Sequence, residues 1–480
     1  MNGLVNLNYF RSSYTESQKG SLVEMEAFLK SSKRTFTLAG AAGTGKSFMV
    51  KHYIANFLRG KKIAITAPTH KAVRVAEGFT GIKGLTIHAL HGLRPNYSLE
   101  EFNIDNVKYE TIGTPKFDNY DVIFIDEASM VPEGLAELNA TRAKQYGTKI
   151  IYIGDELQLA PVKEREPSVV FRSADVKFTL TDIVRQGEEH PLLDAFDLLR
   201  TDIPKDDSTF LRYINKKREY IVNGEGYKVS TIPTIKGVMK DMFTSGEFKN
   251  DYNFCRYLGY TNDNVTMWNE YIRVLLFPTT DIIVEGDLLT GYKNIIDVNN
   301  APVLTNSTDY VVTKAERRMT DDQFIAYNTT LVEVGTGRIV KISIVDHTDP
   351  SFANYVDILD RLHMRALTVR GTERGMAWKR YYAYKDLHIC MITFGFKSPN
   401  GSTRAWATKD IYYGYGLTVH KSQGSTIKNV VLDGLDIVCY NNNTATPRRN
   451  TSNNPDALQM RNRLLYTGLT RVKQVAHIIF

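Results

Sequence analysis

A chain of 480 residues, 42% hydrophobic and 24% charged, has room for about three domains of ordinary size, each with its own apolar core. No apolar run is long enough to span a bilayer. The start lacks a secretion signal, and the three cysteines (Cys255, Cys390, Cys439) have neither disulfide nor zinc spacing, so a membrane-free reducing cytoplasm, or a host's cytoplasm for a viral chain, is expected. The net charge of +7 is unevenly spread: between residues 361 and 409, ten Lys or Arg face only Glu373 and Asp386, a local surplus of +8 that points to a polyanionic partner.

Along the first 175 residues, short apolar strands alternate with amphipathic helices, the pattern of a parallel sheet. Strands are expected at 34–38, 63–66, 122–125 and 150–153. Val50, Tyr53, Ile54, Phe57 and Leu58 share one face of a helix. Residues 91–120 are polar and irregular, an excursion from this domain. A second alternating pattern begins near Phe178 and includes strands at 253–260, 430–432 and 475–480. Between about 281 and 407 the helical period fades, and β-rich runs at 309–313 and 330–334 suggest a small inserted domain. The Asn-rich stretch 441–455, with Arg448 and Arg449, reads as a surface loop. The expected organisation is therefore an α/β chain with a first domain over 1–178, a second over 179–280 and 408–480, and a β-rich insert over 281–407.

Gly40-Ala41-Ala42-Gly43-Thr44-Gly45-Lys46-Ser47 fits the GxxxxGK[ST] phosphate-binding loop, between an expected strand and an expected helix. Glycines let backbone amides approach phosphates closely, and the helix N-terminus adds partial positive charge. Lys46 would reach the outer phosphates, and the Ser47 hydroxyl would bind Mg²⁺. Downstream, an apolar run ends in Asp126 and Glu127. The first carboxylate suits a hydrated Mg²⁺ and the second suits a base that activates water. The next strand ends in Gly154-Asp-Glu-Leu-Gln158-Leu, at the sheet edge where α/β folds bind ligands, and Gln158 could sense the last phosphate.

Here the chain resembles the superfamily 1 helicases, P-loop NTPases built from two RecA-like parallel-sheet domains. Ala67-Pro68-Thr69-His70-Lys-Ala72 is similar to their motif Ia, Thr86-Ile-His88 to Ib and Asp126-Glu127-Ala-Ser to II. Motif III is the Gly154 to Leu159 stretch. Motif V is Leu417-Thr418-Val-His420-Lys421-Ser-Gln423-Gly424-Ser-Thr426, and motif VI is Tyr466-Thr-Gly-Leu-Thr-Arg471. The motifs occur in the family's order, and their wording, together with Tyr260-Thr-Asn-Asp-Asn-Val, is similar to the RecD-like branch. The long 441–455 loop and the glycine-rich Tyr413-Gly-Tyr-Gly416 approach to motif V depart from that branch.

The resemblance implies roles that spacing does not. Gln18 would read adenine, although Thr15-Glu-Ser-Gln18 is also a capping box. Phe48, Gln423 and Gly424 would lie near the nucleotide, and Arg185 and Arg471 would be the arginines that the second domain offers to the γ-phosphate. Pro68, Thr69, His70, Thr86, His88, Thr418, His420 and Lys421 would face the DNA backbone. The insert would be SH3-like, and residues 91–120 would supply a hairpin that splits the duplex. Most aromatics between 378 and 406 would form that insert's own core, with part of its basic face meeting DNA.

The implied activity is an ATP- and Mg²⁺-dependent monomeric motor that moves 5′-to-3′ on single-stranded DNA and opens duplex junctions. Single-strand-binding, replication or recombination proteins are its natural partners. A translocase that strips proteins from DNA would share every motif. A P-loop kinase or switch would not need motifs Ia, V and VI, and a structural DNA-binding protein would have no use for Glu127.

Overall fold

In the computed structural model the described residues are 14–95, 109–111, 113–161, 164, 166–183, 191–205, 207–297, 302–397, 403–440 and 455–480. They group into two compact units. The first comprises Met1–Gly92, Gly113–Thr266 and Leu417–Phe480, and the second Leu93–Ile112 and Met267–Gly416.

The first unit holds two six-stranded sheets. One runs, from edge to edge, through Gly84–Thr86, Ile63–Ala67, Val122–Ile125, Lys149–Gly154, Thr35–Gly40 and Val176–Leu180, with every neighbouring pair parallel. Successive side chains along a strand point to opposite faces, and this sheet uses both. Val122 and Phe124 pack toward helices Glu16–Lys30 and Lys46–Phe57, against Met25, Phe28, Met49 and Tyr53. Ile123 and Ile125 face the other way, into a cluster with Ile87, Leu90, Ala136 and Ala143. Phe178 was expected to open the second pattern, but it lies in the edge strand of this sheet. The absence of a side chain at Gly20 makes room for its ring, since a Cβ there would come within 3.0 Å of it.

The second sheet runs through Gly416–Thr418, Cys255–Gly259, Ile427–Asp433, Val472–Ile479, Glu225–Ser230 and Glu219–Val222. Its middle four strands are parallel, and the last pair is antiparallel. Leu258, Val430, Leu432 and Ile478 bury it against helices Leu192–Lys205 and Pro455–Leu469. Both sheets are therefore the RecA-like α/β layers that the alternating pattern implies.

The second unit carries a mainly antiparallel sheet through His388–Ile389, Ile339–Val345, Ile325–Glu333, Asp309–Met319, Leu288–Gly291 and Ile411–Tyr413. Two helices, Phe352–Thr368 and Thr372–Leu387, interrupt what the sequence suggested was β-rich throughout. Their inward positions are Tyr355, Leu359, Ala366, Ala377, Trp378 and Tyr381, a helical spacing that neighbouring charges and aromatics disguise. Tyr382, Tyr384 and Phe394 pack against the same core, while Trp406 is 53% exposed. Lys385 is buried because its ammonium bonds the Asp410 carboxylate at 2.6 Å. Leu93–Pro95 and Tyr109–Thr111 form a short antiparallel ladder within the expected excursion, and the residues that join them lie outside those described. No described helix is long and apolar enough to cross a membrane.

Candidate active site

Strand Thr35–Gly40, buried at every position, delivers the glycine loop to the carboxyl edge of the first sheet. Gly43 and Gly45 take φ values of 88° and 85°, left-handed conformations that a side chain would resist. Helix Lys46–Phe57 starts directly after the loop, so its first amides point toward it. Lys46 folds back over the loop, with Nζ donating to the carbonyls of Gly40 at 2.6 Å and Ala41 at 2.9 Å. Burial pulls its ammonium pKa down, against the charges of Asp155, Glu127 and Asp126. Thr44 is buried, while Ser47 and Phe48 are exposed on the first helical turn.

The capping box forms: the Gln18 amide donates to Thr15 Oγ1 and the Thr15 amide to Gln18 Oε1, each at 3.3 Å. Gln18 Nε2 also donates to the Thr44 carbonyl, so this side chain sits against the phosphate loop while it caps its helix.

Asp126 and Glu127 follow strand Val122–Ile125. The Asp126 amide donates to the Thr66 carbonyl of the neighbouring strand, and its Oδ1 accepts from the Glu127 amide at 2.9 Å. Burial, reinforced by the charge of Glu127, pushes the Asp126 carboxyl up to about 7, while the Glu127 amide and Lys46 pull it down. Glu127 holds φ 51° without being glycine, a strained position of the kind found at functional sites.

Elements of the second sheet close over this edge. Arg471, 6% exposed, is anchored through Nε to the Thr467 carbonyl and through Nη2 to Thr470, and its Nη1 lies 3.8 Å from Glu127 Oε1. Arg463 donates to the carbonyls of Glu156 and Gln158, and the Leu159 amide to Thr467 Oγ1. The Tyr466 hydroxyl donates to Asp155 at 2.7 Å. Helix Pro455–Leu469 thereby holds the loop after strand Lys149–Gly154 from three points. Tyr466 opens motif VI, yet nothing local in the sequence marks its partner, or that of Arg463, some three hundred positions away. Gln158 Oε1 and Gln423 Nε2 are both buried and have no hydrogen-bond partner among the described residues. Gly424, at φ 74°, lets the loop that carries Gln423 approach Ala72, whose Cβ would be 3.3 Å from a side chain at 424. Arg185 lies outside the described residues.

Residues 14–218 match the family described as AAA domain. Among curated proteins, the ATP-dependent DNA helicase dda of Enterobacteria phage T4 is 28% identical over 285 residues, covering 57% of this chain and 60% of that protein. The ATP-dependent RecD2 DNA helicase of Deinococcus radiodurans is 31% identical over 164 residues, 34% of this chain and 21% of that one. Over these stretches the chain is similar to the Dda, RecD2 and Pif1 helicases. It spans less than two thirds of the length of either relative just described. Among solved structures, the Pif1 helicase from Candida albicans aligns at a TM-score of 0.49 and 16% identity, covering 98% of this chain and 94% of that one.

Three threonines stand at or just after strand ends and do the same local work. Thr69, Thr86 and Thr418 accept, through Oγ1, from the amides of Ala72, Ala89 and Lys421, each at 3.2 Å. A hydroxyl that accepts from the backbone keeps its own hydrogen to donate. Burial lowers the pKa of His88 and His420, favouring neutral rings, and the His420 ring lies 6.0 Å from that of Tyr260. Pro68 and His70 flank Thr69 in half-buried positions, and Lys421 follows His420 after strand Gly416–Thr418.

Proposed function

We propose that the chain is an ATP-dependent DNA helicase that tracks 5′-to-3′ along single-stranded DNA and opens duplex ahead of it. The observation that carries this reading is Arg471, borne by the second sheet, poised 3.8 Å from Glu127 of the first. A nucleotide held in the Gly40–Ser47 loop would present its terminal phosphate beside them.

The residues divide the work. Loop amides and Lys46 hold the phosphates, Phe48 and Gln18 stand where adenine would lie, and Glu127 takes the proton of the attacking water. Arg471, with Arg185 as the resemblance assigns it, neutralises charge that develops on the transferred phosphoryl group. Gln158 brings an unpartnered amide oxygen and Gln423 an unpartnered amide nitrogen that nucleotide oxygens or water would satisfy.

The oxygen donors of Ser47 and Asp126 fit Mg²⁺, which takes hard oxygens and keeps several waters. A buried carboxyl held protonated to about 7 beside a second acid is short of positive charge, and the cation would supply it. When bound, Mg²⁺ would be held by Ser47 and Asp126 and would supply positive charge to offset that of the phosphates.

Binding of ATP favours approach of the two sheets because both interact with its phosphates, and hydrolysis removes that bridge. Thr69, Thr86, Thr418, the nearby histidines and Lys421 would hold the DNA backbone without reading bases. The domain assignment belongs to this reading: RecA-like halves over 1–178 and over 179–280 with 408–480, an SH3-like insert over 281–407, and a duplex-splitting hairpin within 91–120. Such a motor works as a cytoplasmic monomer at single-strand to duplex junctions.

The test compares unwinding of duplexes with a 5′ or a 3′ single-stranded tail. Unwinding from the 5′ tail, abolished in Lys46→Ala, is expected. Unwinding from the 3′ tail alone would overturn the assigned direction. Removal of bound proteins without strand separation would favour a translocase.

A further inference from the structure

Helix Leu192–Lys205 buries Leu192, Phe196, Leu199 and Ile203 against the second sheet, which leaves Arg200 at its margin. Three features place that guanidinium. Its Nη1 pairs with Asp197 one turn earlier at 2.8 Å, while its own side chain is only 15% exposed. Its centre lies 5.8 Å from the ring of fully buried Tyr466 and 5.9 Å from that of Phe196, within reach of both π faces. Two further nitrogens extend outward: Nε toward the Tyr466 hydroxyl and Nη2 toward the carbonyl of Ala42, each at 3.5 Å.

Those two long approaches give the residue its meaning. Ala42 belongs to the phosphate loop of the first sheet, whereas Arg200 and Tyr466 belong to elements of the second. The Tyr466 hydroxyl that accepts from Arg200 donates to Asp155 at 2.7 Å, and Asp155 is the charge that most favours the ammonium form of Lys46. One planar fork therefore touches the loop that cradles phosphate and the tyrosine that holds the next strand's acid. A distance of 3.5 Å is the outer limit of a hydrogen bond, so the fork is aimed but not yet tightened.

We propose that Arg200 is a further guanidinium offered by the second sheet to the first: a positioning residue that fixes the phosphate loop at the Ala42 carbonyl and, through Tyr466, the side chain of Asp155. It is separate from the arginines placed at the γ-phosphate, because its acceptors are protein atoms. The proposal rests on the ATPase reading above. A closing movement of a few tenths of an ångström would convert both approaches into ordinary hydrogen bonds, and their strengthening would accompany the transition state more than nucleotide capture.

The test measures steady-state ATP hydrolysis with saturating single-stranded DNA in the wild type, Arg200→Ala, Arg200→Lys, Tyr466→Phe and the double variant Arg200→Ala/Tyr466→Phe. Loss of one charge-assisted hydrogen bond corresponds to about a 10- to 100-fold drop in kcat. We expect that drop in Arg200→Ala, with KM for ATP within about twofold of wild type and an unchanged melting temperature. Arg200→Lys should recover part of kcat, since an ammonium reaches one acceptor but not both. The double variant should lose less than the product of its parents' losses. Wild-type kcat in Arg200→Ala, a kcat loss that tracks a fall in melting temperature, or fully multiplicative losses would each overturn the assignment. A wild-type protein that does not hydrolyse ATP would sink the motor reading and this inference together. An active wild type with an indifferent Arg200→Ala would sink this inference alone.

Discussion

Glu127 and Arg471 face each other across 3.8 Å, although one follows a strand of the first sheet and the other follows the last helix of the second. The gap is wider than a hydrogen-bonded ion pair, which closes to about 2.8 Å. A phosphoryl group brought up beside this pair would meet both a base and a cation. The strained backbone of Glu127 and the double anchor of Arg471 fix both ends of that gap.

Replacing Glu127 with Gln keeps its size and backbone position but removes the base. Such a substitution should slow hydrolysis by about two to four decades while leaving ATP affinity close to wild type. A pre-steady-state measurement of hydrolysis, paired with equilibrium binding of a fluorescent ATP analogue, checks this. Wild-type turnover in Glu127→Gln would assign the base elsewhere.

Lys421 follows the proposed DNA-facing histidine of motif V and carries the positive charge there. Removing a lysine that neutralises one phosphate lowers the slope of log affinity against log salt by about 0.7 for single strands. Lys421→Ala should show that reduced slope. Thr418→Val should weaken binding without changing the slope, because a hydroxyl releases no counterion. Titrations of labelled single-stranded DNA at several salt concentrations separate the two, and an unchanged slope in Lys421→Ala would remove that residue from the contact set.

His91 is fully buried at the end of helix Ile87–His91, where its Nε2 meets Asn139 at 2.6 Å. Burial lowers its pKa to about 4, with Arg142 and His88 adding to the effect and Asn139 opposing it. The unfolded chain, with an ordinary histidine near 6.5, binds more protons between those values, so stability rises with pH across that window. The full contribution is on the order of 3 kcal/mol, lost as pH falls from about 6.5 to about 4. His91→Gln should flatten that acid limb in melting-temperature measurements. An acid limb as steep as that of wild type would show that other groups account for it.

The nucleotide edge is legible in the sequence because its chemistry is local. The glycines, Lys46 and Ser47 lie in eight consecutive positions, and Asp126 and Glu127 directly follow a strand whose four residues are all apolar. The parallel sheets are legible for the same reason, since each buried strand is a short apolar run. What escapes is the closure. Tyr466 on Asp155, Arg463 on the Glu156 and Gln158 carbonyls, and Arg200 beside Ala42 join elements that only the chain's path brings together. Helix Thr372–Leu387 escapes because Trp378, Tyr381 and the buried Lys385 carry its inward face, a mixture that no apolar period reveals.

The account stands most directly on the two-sided grip on ATP, and the ATPase rate of Arg471→Ala with and without single-stranded DNA measures it. We expect DNA to stimulate wild-type hydrolysis strongly, and Arg471→Ala to bind ATP nearly as well yet lose about three to five decades of the stimulated rate. Hydrolysis that is indifferent to DNA in the wild type, or a stimulated rate in Arg471→Ala equal to wild type, would contradict it.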